Sequence, residues 1–136
     1  MRYFKTKIVV EDYTTKRIII PEGITNYCYA EIDRYEYSGV DTEDENFLIN
    51  QHPECEAEEV TFAEIETILK SCKLYADVNE LVVNKIREKY DVNAEAEMLN
   101  KGIINSSDAA YLTYRTYVEE CIAWGNLKKQ DYGLVE

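Results

Sequence analysis

The chain is predicted to be an α+β protein, with an N-terminal antiparallel β-sheet of about three strands packed against three or four C-terminal α-helices. Three observations lead there. Residues 1–50 place apolar side chains mainly at a period of two, residues 60–125 place them at helical spacing, and a helix-capping sequence marks the changeover. With 136 residues, the chain is long enough to bury one core and too short for two, so a single domain spanning 1–136 is expected.

Phe4, Thr6, Ile8 and Val10 alternate with Lys5, Lys7 and Val9, which makes a first strand with one apolar and one largely polar face. Lys16–Ile20 is a β-branched run stopped by Pro21 and turned by Gly23. It is expected to pair with the first strand across Glu11-Asp12-Tyr13-Thr14. From Tyr27 to Tyr37 the alternation predicts a third strand, with Cys28, Ala30 and Ile32 on one face. Tyr27, Tyr29, Glu31, Asp33, Tyr35 and Tyr37 fall on the other. That tyrosine face is either packed beneath the helices or exposed as an adhesive surface. Ser38-Gly39 and the acidic stretch Asp41–Asn46 end the pattern, and Gln51-His52-Pro53-Glu54 reads as loop.

Thr61-Phe62-Ala63-Glu64 is a capping box, followed by Ile65, Ile68, Leu69 and Cys72 at helical spacing. A second box, Asp77-Val78-Asn79-Glu80, predicts a new helix start after a corner near Ala76. Asn93 is the expected cap of a third helix ended by Gly102. Ser106 or Ser107 is the expected cap of the longest helix, stopped by Gly125, with the last eleven residues fraying.

The formal net charge of −12 is not spread evenly. Between Glu31 and Glu66 stand thirteen acids and one base, Arg34, while the rest of the chain balances fourteen against fourteen. Such a block repels phosphates, which argues against direct nucleic-acid binding and against an anionic membrane surface. It either keeps the protein soluble or docks a basic partner. The residues expected to meet that partner are Asp41, Glu43, Asp44, Glu45, Glu54, Glu56, Glu58 and Glu59, together with Tyr27, Tyr29, Tyr35 and Tyr37. No apolar run reaches bilayer-spanning length and the first residues carry no signal-peptide core, so a cytoplasmic location is expected.

Recognisable chemistry is sparse. His52 and Cys55 make one half of a zinc-like pair, but Cys28, Cys72 and Cys121 stand alone, so a four-ligand set is missing. Asp41-Thr42-Glu43-Asp44-Glu45-Asn46 suggests calcium, yet an EF-hand loop needs Gly at its sixth position and Glu at its twelfth, where this chain has Asn46 and His52. There is no Gly-rich phosphate loop, nucleophile elbow or dinucleotide fingerprint. No catalytic residue, metal or cofactor is expected. A site built from tyrosines and carboxylates that converge only in three dimensions stays open as an alternative.

Arg87-Glu88-Lys89-Tyr90-Asp91-Val92, then Glu95, Ala96, Met98 and Leu99, then Tyr114, Tyr117-Val118-Glu119-Glu120-Cys121 and Ala123 form a series over the last third of the chain. With Pro21-Glu22-Gly23 at a strand entry, this series resembles small phage and prophage proteins encoded near tail-fibre genes. The resemblance implies a non-enzymatic virion or assembly component that works by protein contact or self-association, tail or tail-fibre associated. The competing expectation is a small acidic phage-encoded inhibitor that occupies a basic groove on a host defence or nucleic-acid enzyme.

Overall fold

The computed structural model describes residues 1–136. The strands are β1 (Arg2–Lys7), β2 (Val9–Glu11), β3 (Thr14–Lys16), β4 (Asn26–Ile32), β5 (Tyr35–Val40) and β6 (Glu58–Val60). The helices α1 (Phe62–Ser71), α2 (Lys73–Arg87), α3 (Val92–Ile104) and α4 (Ala109–Asp131) follow. The main sheet is antiparallel in the order β4-β5-β1-β6, and β2-β3 forms a separate small hairpin. The chain is thus α+β, with its sheet N-terminal and its helices C-terminal.

Three strand boundaries differ from the sequence reading, each for a physical reason. The first strand stops at Lys7: the Ile8 N–H makes one more bond in register, to the Arg34 carbonyl at 2.7 Å, but Arg34 already lies in the left-handed turn (φ 68°), where the pairing ends. The first hairpin shrinks accordingly to Val9–Glu11 against Thr14–Lys16. Residues 17–20 form no strand at all. Instead the Gln51 side-chain amide stands in for one, accepting from the Ile19 N–H at 2.6 Å and donating to the Ile19 carbonyl at 2.9 Å. Ile18 and Ile20 are thereby free to pack on the sheet.

The predicted strand Tyr27–Tyr37 is a hairpin of two strands, turned at Asp33 (φ 52°) and Arg34 (φ 68°). Two successive left-handed residues suit the two-residue turn whose twist matches a hairpin. β4 also carries a bulge. Cys28 pairs with Ser38 and Ala30 with Tyr37, leaving Tyr29 without a ladder partner. Tyr27 and Tyr29 therefore both face the helices, while Glu31, opposite Glu36, joins Cys28 on the other face. This corrects the assignment of Glu31 to the tyrosine face. The fourth strand, β6, was not anticipated and pairs with β1 from Tyr3↔Val60 to Lys5↔Glu58.

The sheet separates two apolar clusters. On the helix side Tyr3, Tyr29, Ile65, Leu69, Cys72, Val78 and Leu134 are buried together. On the far side Phe4, Val40 and Phe47 are buried beneath Ile18, Ile20, Ile24 and Leu48.

The Thr61 capping box forms as read: the Thr61 hydroxyl accepts from the Glu64 N–H, and the Glu64 carboxylate accepts from the Thr61 N–H at 2.9 Å. The next corner falls at Cys72 and not at Ala76, and Asp77 pairs with Lys73 inside α2 instead of capping it. Asp91 and Asp108 cap α3 and α4, in place of Asn93 and the serines. Neither predicted helix stop ends a helix. A Cβ on Gly102 would collide with the Tyr111 ring, and one on Gly125 with the Val82 side chain, so both glycines permit close helix packing. The chain after Gly125 does not fray as expected: α4 runs to Asp131 and Leu134 is buried.

Candidate interaction surfaces

The acidic segment divides once its neighbours are known. Arg2 donates to both Glu59 carboxylate oxygens at 3.0 Å, Lys16 lies 3.5 Å from Glu54, and Arg17 meets Glu31 and Glu36. Bases from the first seventeen residues thus neutralise part of the block. The Arg2 bond holds the Glu59 carboxyl below its usual range, and Glu54 is lowered chiefly by a backbone hydrogen bond, with Lys16 adding to it. Asp41, Glu43, Asp44, Glu45, Glu56 and Glu58 take part in no ion pair and are exposed.

The free acids of residues 41–45 do not sit on loose chain. The Thr42 hydroxyl accepts from the Asp44 N–H at 3.1 Å and the Asp44 carboxylate accepts from the Asn46 N–H at 2.9 Å. Arg2 donates to the Asp44 carbonyl at 3.0 Å, and Phe47, 1% exposed, anchors the loop in the far-side cluster. The result is an ordered acidic face.

The tyrosines of the third predicted strand go elsewhere. Tyr29 is buried, and Tyr27 and Tyr37 pack against the helix-side cluster. The Tyr29 hydroxyl donates to the Tyr132 carbonyl and the Tyr3 hydroxyl to the Gly133 carbonyl, each at 2.6 Å. Together they clamp the last turn of chain onto the sheet. Tyr35 is half-buried with the Lys5 ammonium 4.4 Å from its ring centre. The four surface grooves are lined by none of Tyr27, Tyr29 and Tyr35.

One cluster of potential ligands does converge, and the bulge makes it. Cys28, Glu31 and Glu36 bring their sulfur and carboxylate oxygens within 4.8 Å of one another. A cation already serves them, because Arg17 bridges the two carboxylates and the Ser38 hydroxyl donates to Glu36 at 3.1 Å. Burial of the sulfur, then the charges of Glu36 and Glu31, push the Cys28 thiol up to about 11, although the residue as a whole is exposed. This suppresses thiolate chemistry. Beside it Ile8, Val10, Arg17, Glu31 and Arg34 line an open groove of about 610 Å³.

Sequence reasoning missed one uncovered apolar surface. α3 buries no residue. Its inner side meets α2 and α4 through polar and aromatic contacts: Glu95 accepts from Arg87 at 3.1 Å and from the Tyr114 hydroxyl, and Gly102 receives the Tyr111 ring. Its outer side carries Val92, Ala96, Leu99 and Ile103, all exposed. The spacing of these four was a usable signal, but an apolar stripe in sequence does not say whether the chain itself covers it. No helix of the structure is long and apolar enough to cross a membrane. No family model matches the chain, and no curated protein or solved structure matches it.

Proposed function

We propose that the protein is a non-enzymatic accessory module of the phage type, tail or tail-fibre associated, that binds a basic protein surface through its ordered acidic face. The supporting observation is the uneven neutralisation of the acidic segment. Arg2, Lys16 and Arg17 are consumed by Glu59, Glu54, Glu31 and Glu36, while Asp41, Glu43, Asp44 and Glu45 are left unpaired on a loop fixed by its own hydrogen bonds. A loop that is already ordered loses little conformational entropy on docking, and its charge accelerates encounter with a basic surface.

The test is co-expression of the chain with tail and tail-fibre proteins, with capture measured at rising salt. Capture that weakens steeply between about 50 and 500 mM salt, and that is lost in the variant D41N/E43Q/D44N/E45Q, is the expected result. Capture unchanged by both treatments overturns docking by charge. Binding to a nucleic-acid enzyme with loss of that enzyme's activity, and none to tail proteins, replaces the structural role with an inhibitory one.

A further inference from the structure

α3 turns its more apolar side outward. Val92, Ala96, Leu99 and Ile103 recur at spacings of four, three and four residues, the alternation of a helix seam that packs against another helix. Val92 is 66% exposed, Leu99 47% and Ile103 82%. The inward side is held to α2 by Glu95 and to α4 by Glu95 and Gly102, so rotating the helix to bury the stripe would break the Arg87–Glu95–Tyr114 network.

Charge narrows what covers the stripe. On an ideal helix the arc from Leu99 through Val92, Ile103 and Ala96 continues to Asn100, Asn93 and Ile104 before any charged residue is met. Nearly a third of the chain's residues are charged and its net charge is −12, so a wide uncharged helix face is exceptional on this surface. A basic partner is drawn to the acidic face and finds no complementary charge here. A second copy, equally acidic, approaches at least cost through a face that carries none.

Shape supports the same occupant. About a two-fold axis at the middle of the helix, between Glu97 and Met98, antiparallel packing sets Ala96 against Leu99 of the second copy and Val92 against its Ile103. The smallest side chain of the stripe then meets a large one at both central positions, as interdigitated packing requires, and the contact closes on itself as an isologous dimer does. We infer that the outer face of α3 is a homodimer seam, in which two copies pack α3 against α3 in antiparallel register.

This inference is independent of the acidic face, and its test reads self-association alone. Sedimentation equilibrium of the full chain from about 1 to 500 µM is expected to show a monomer–dimer equilibrium that persists at high salt, since burial of apolar surface does not screen. Ile103→Lys and Leu99→Glu are each expected to weaken dimerisation at least ~30-fold, the scale of a central interface residue. Both positions are exposed in the monomer, so an unchanged thermal midpoint in dilute solution verifies that the variants fold. Register is read with Ala96→Cys in a Cys28→Ser background, which removes the exposed native thiol. Oxidation is expected to give a covalent dimer, and Ser107→Cys in the same background is expected to give none. A monomer throughout the concentration range, or a dimer indifferent to Ile103→Lys and Leu99→Glu, overturns the proposal.

Discussion

Leu134 lies in the segment expected to fray, yet it is 1% exposed and belongs to the helix-side core with Tyr3, Tyr29 and Leu69. Truncating it to alanine removes a buried isobutyl group and leaves a cavity beneath two tyrosine rings. Transfer and cavity terms for such changes give about 3–5 kcal/mol. Against a total stability on the order of 5–15 kcal/mol this is a large share. Leu134→Ala is therefore expected to lower the unfolding free energy by at least about 3 kcal/mol in urea titrations, and the thermal midpoint by at least about 10 °C. Leu127→Ala, at a residue 61% exposed on α4, serves as the control and is expected within about 0.5 kcal/mol of the parent. If Leu134→Ala behaves like the control, the tail is not a core element and the clamp by Tyr3 and Tyr29 has no energetic role.

Gly125→Ala places a methyl group against the Val82 side chain on α2 and is expected to destabilise by about 1–3 kcal/mol, despite alanine's better helix propensity. Adding Val82→Ala makes room and is expected to recover part of that loss, so the double-mutant cycle should show favourable coupling; additive effects would refute close packing at this crossing. For Cys28, a thiol pushed up to about 11 holds ~100-fold less thiolate at pH 8 than an ordinary one, an effect about half offset by greater intrinsic nucleophilicity. Alkylation is expected to run ~10-fold slower than that of an ordinary exposed cysteine, to rise with pH through about 11, and to accelerate in Glu36→Gln. A neutral-pH rate equal to that of free cysteine, read by mass spectrometry of the labelled peptide, would contradict the burial of the sulfur and the charge crowding around it.

Much of the architecture was legible where one local rule acts alone. Thr61 and Glu64 define a helix start because both partners of the reciprocal cap lie within four residues. Legibility failed where one residue type has two uses. Glycine after an apolar run signals a helix stop, but Gly102 and Gly125 are glycines because Tyr111 and Val82 come too close for a Cβ, and those neighbours are remote in sequence. Asp91 and Asp108 outcompeted Asn93 and the serines as caps by one or two residues, a margin that backbone geometry decides and composition does not. Asp33-Arg34 concealed a hairpin because the turn uses neither Asn-Gly nor Asp-Gly. The acidic block was visible as a run of letters, whereas its division into paired and unpaired acids required the fold to bring Arg2, Lys16 and Arg17 alongside. The outward stripe on α3 was readable as periodicity but not as exposure.

The bulge at Tyr29 changes how this strand tolerates changes of length. Elsewhere in a paired strand, losing one residue exchanges the two faces for everything between the loss and the turn. Tyr29 is already outside the ladder, with Cys28 on Ser38 and Ala30 on Tyr37 on either side of it. Its deletion would leave both flanking registers intact and regularise the strand. What would be lost is a ring and a hydroxyl: a vacancy over Gly39 and an unanswered carbonyl at Tyr132. Loss of Ala30 instead would draw Tyr29 into the ladder opposite Tyr37 with Glu31 still opposite Glu36, whereas loss of Cys28 would set Tyr29 opposite Ser38, on the face turned away from the helices. β4 thus carries one spare residue, and the side chain held there ties the sheet to the last turn of the protein.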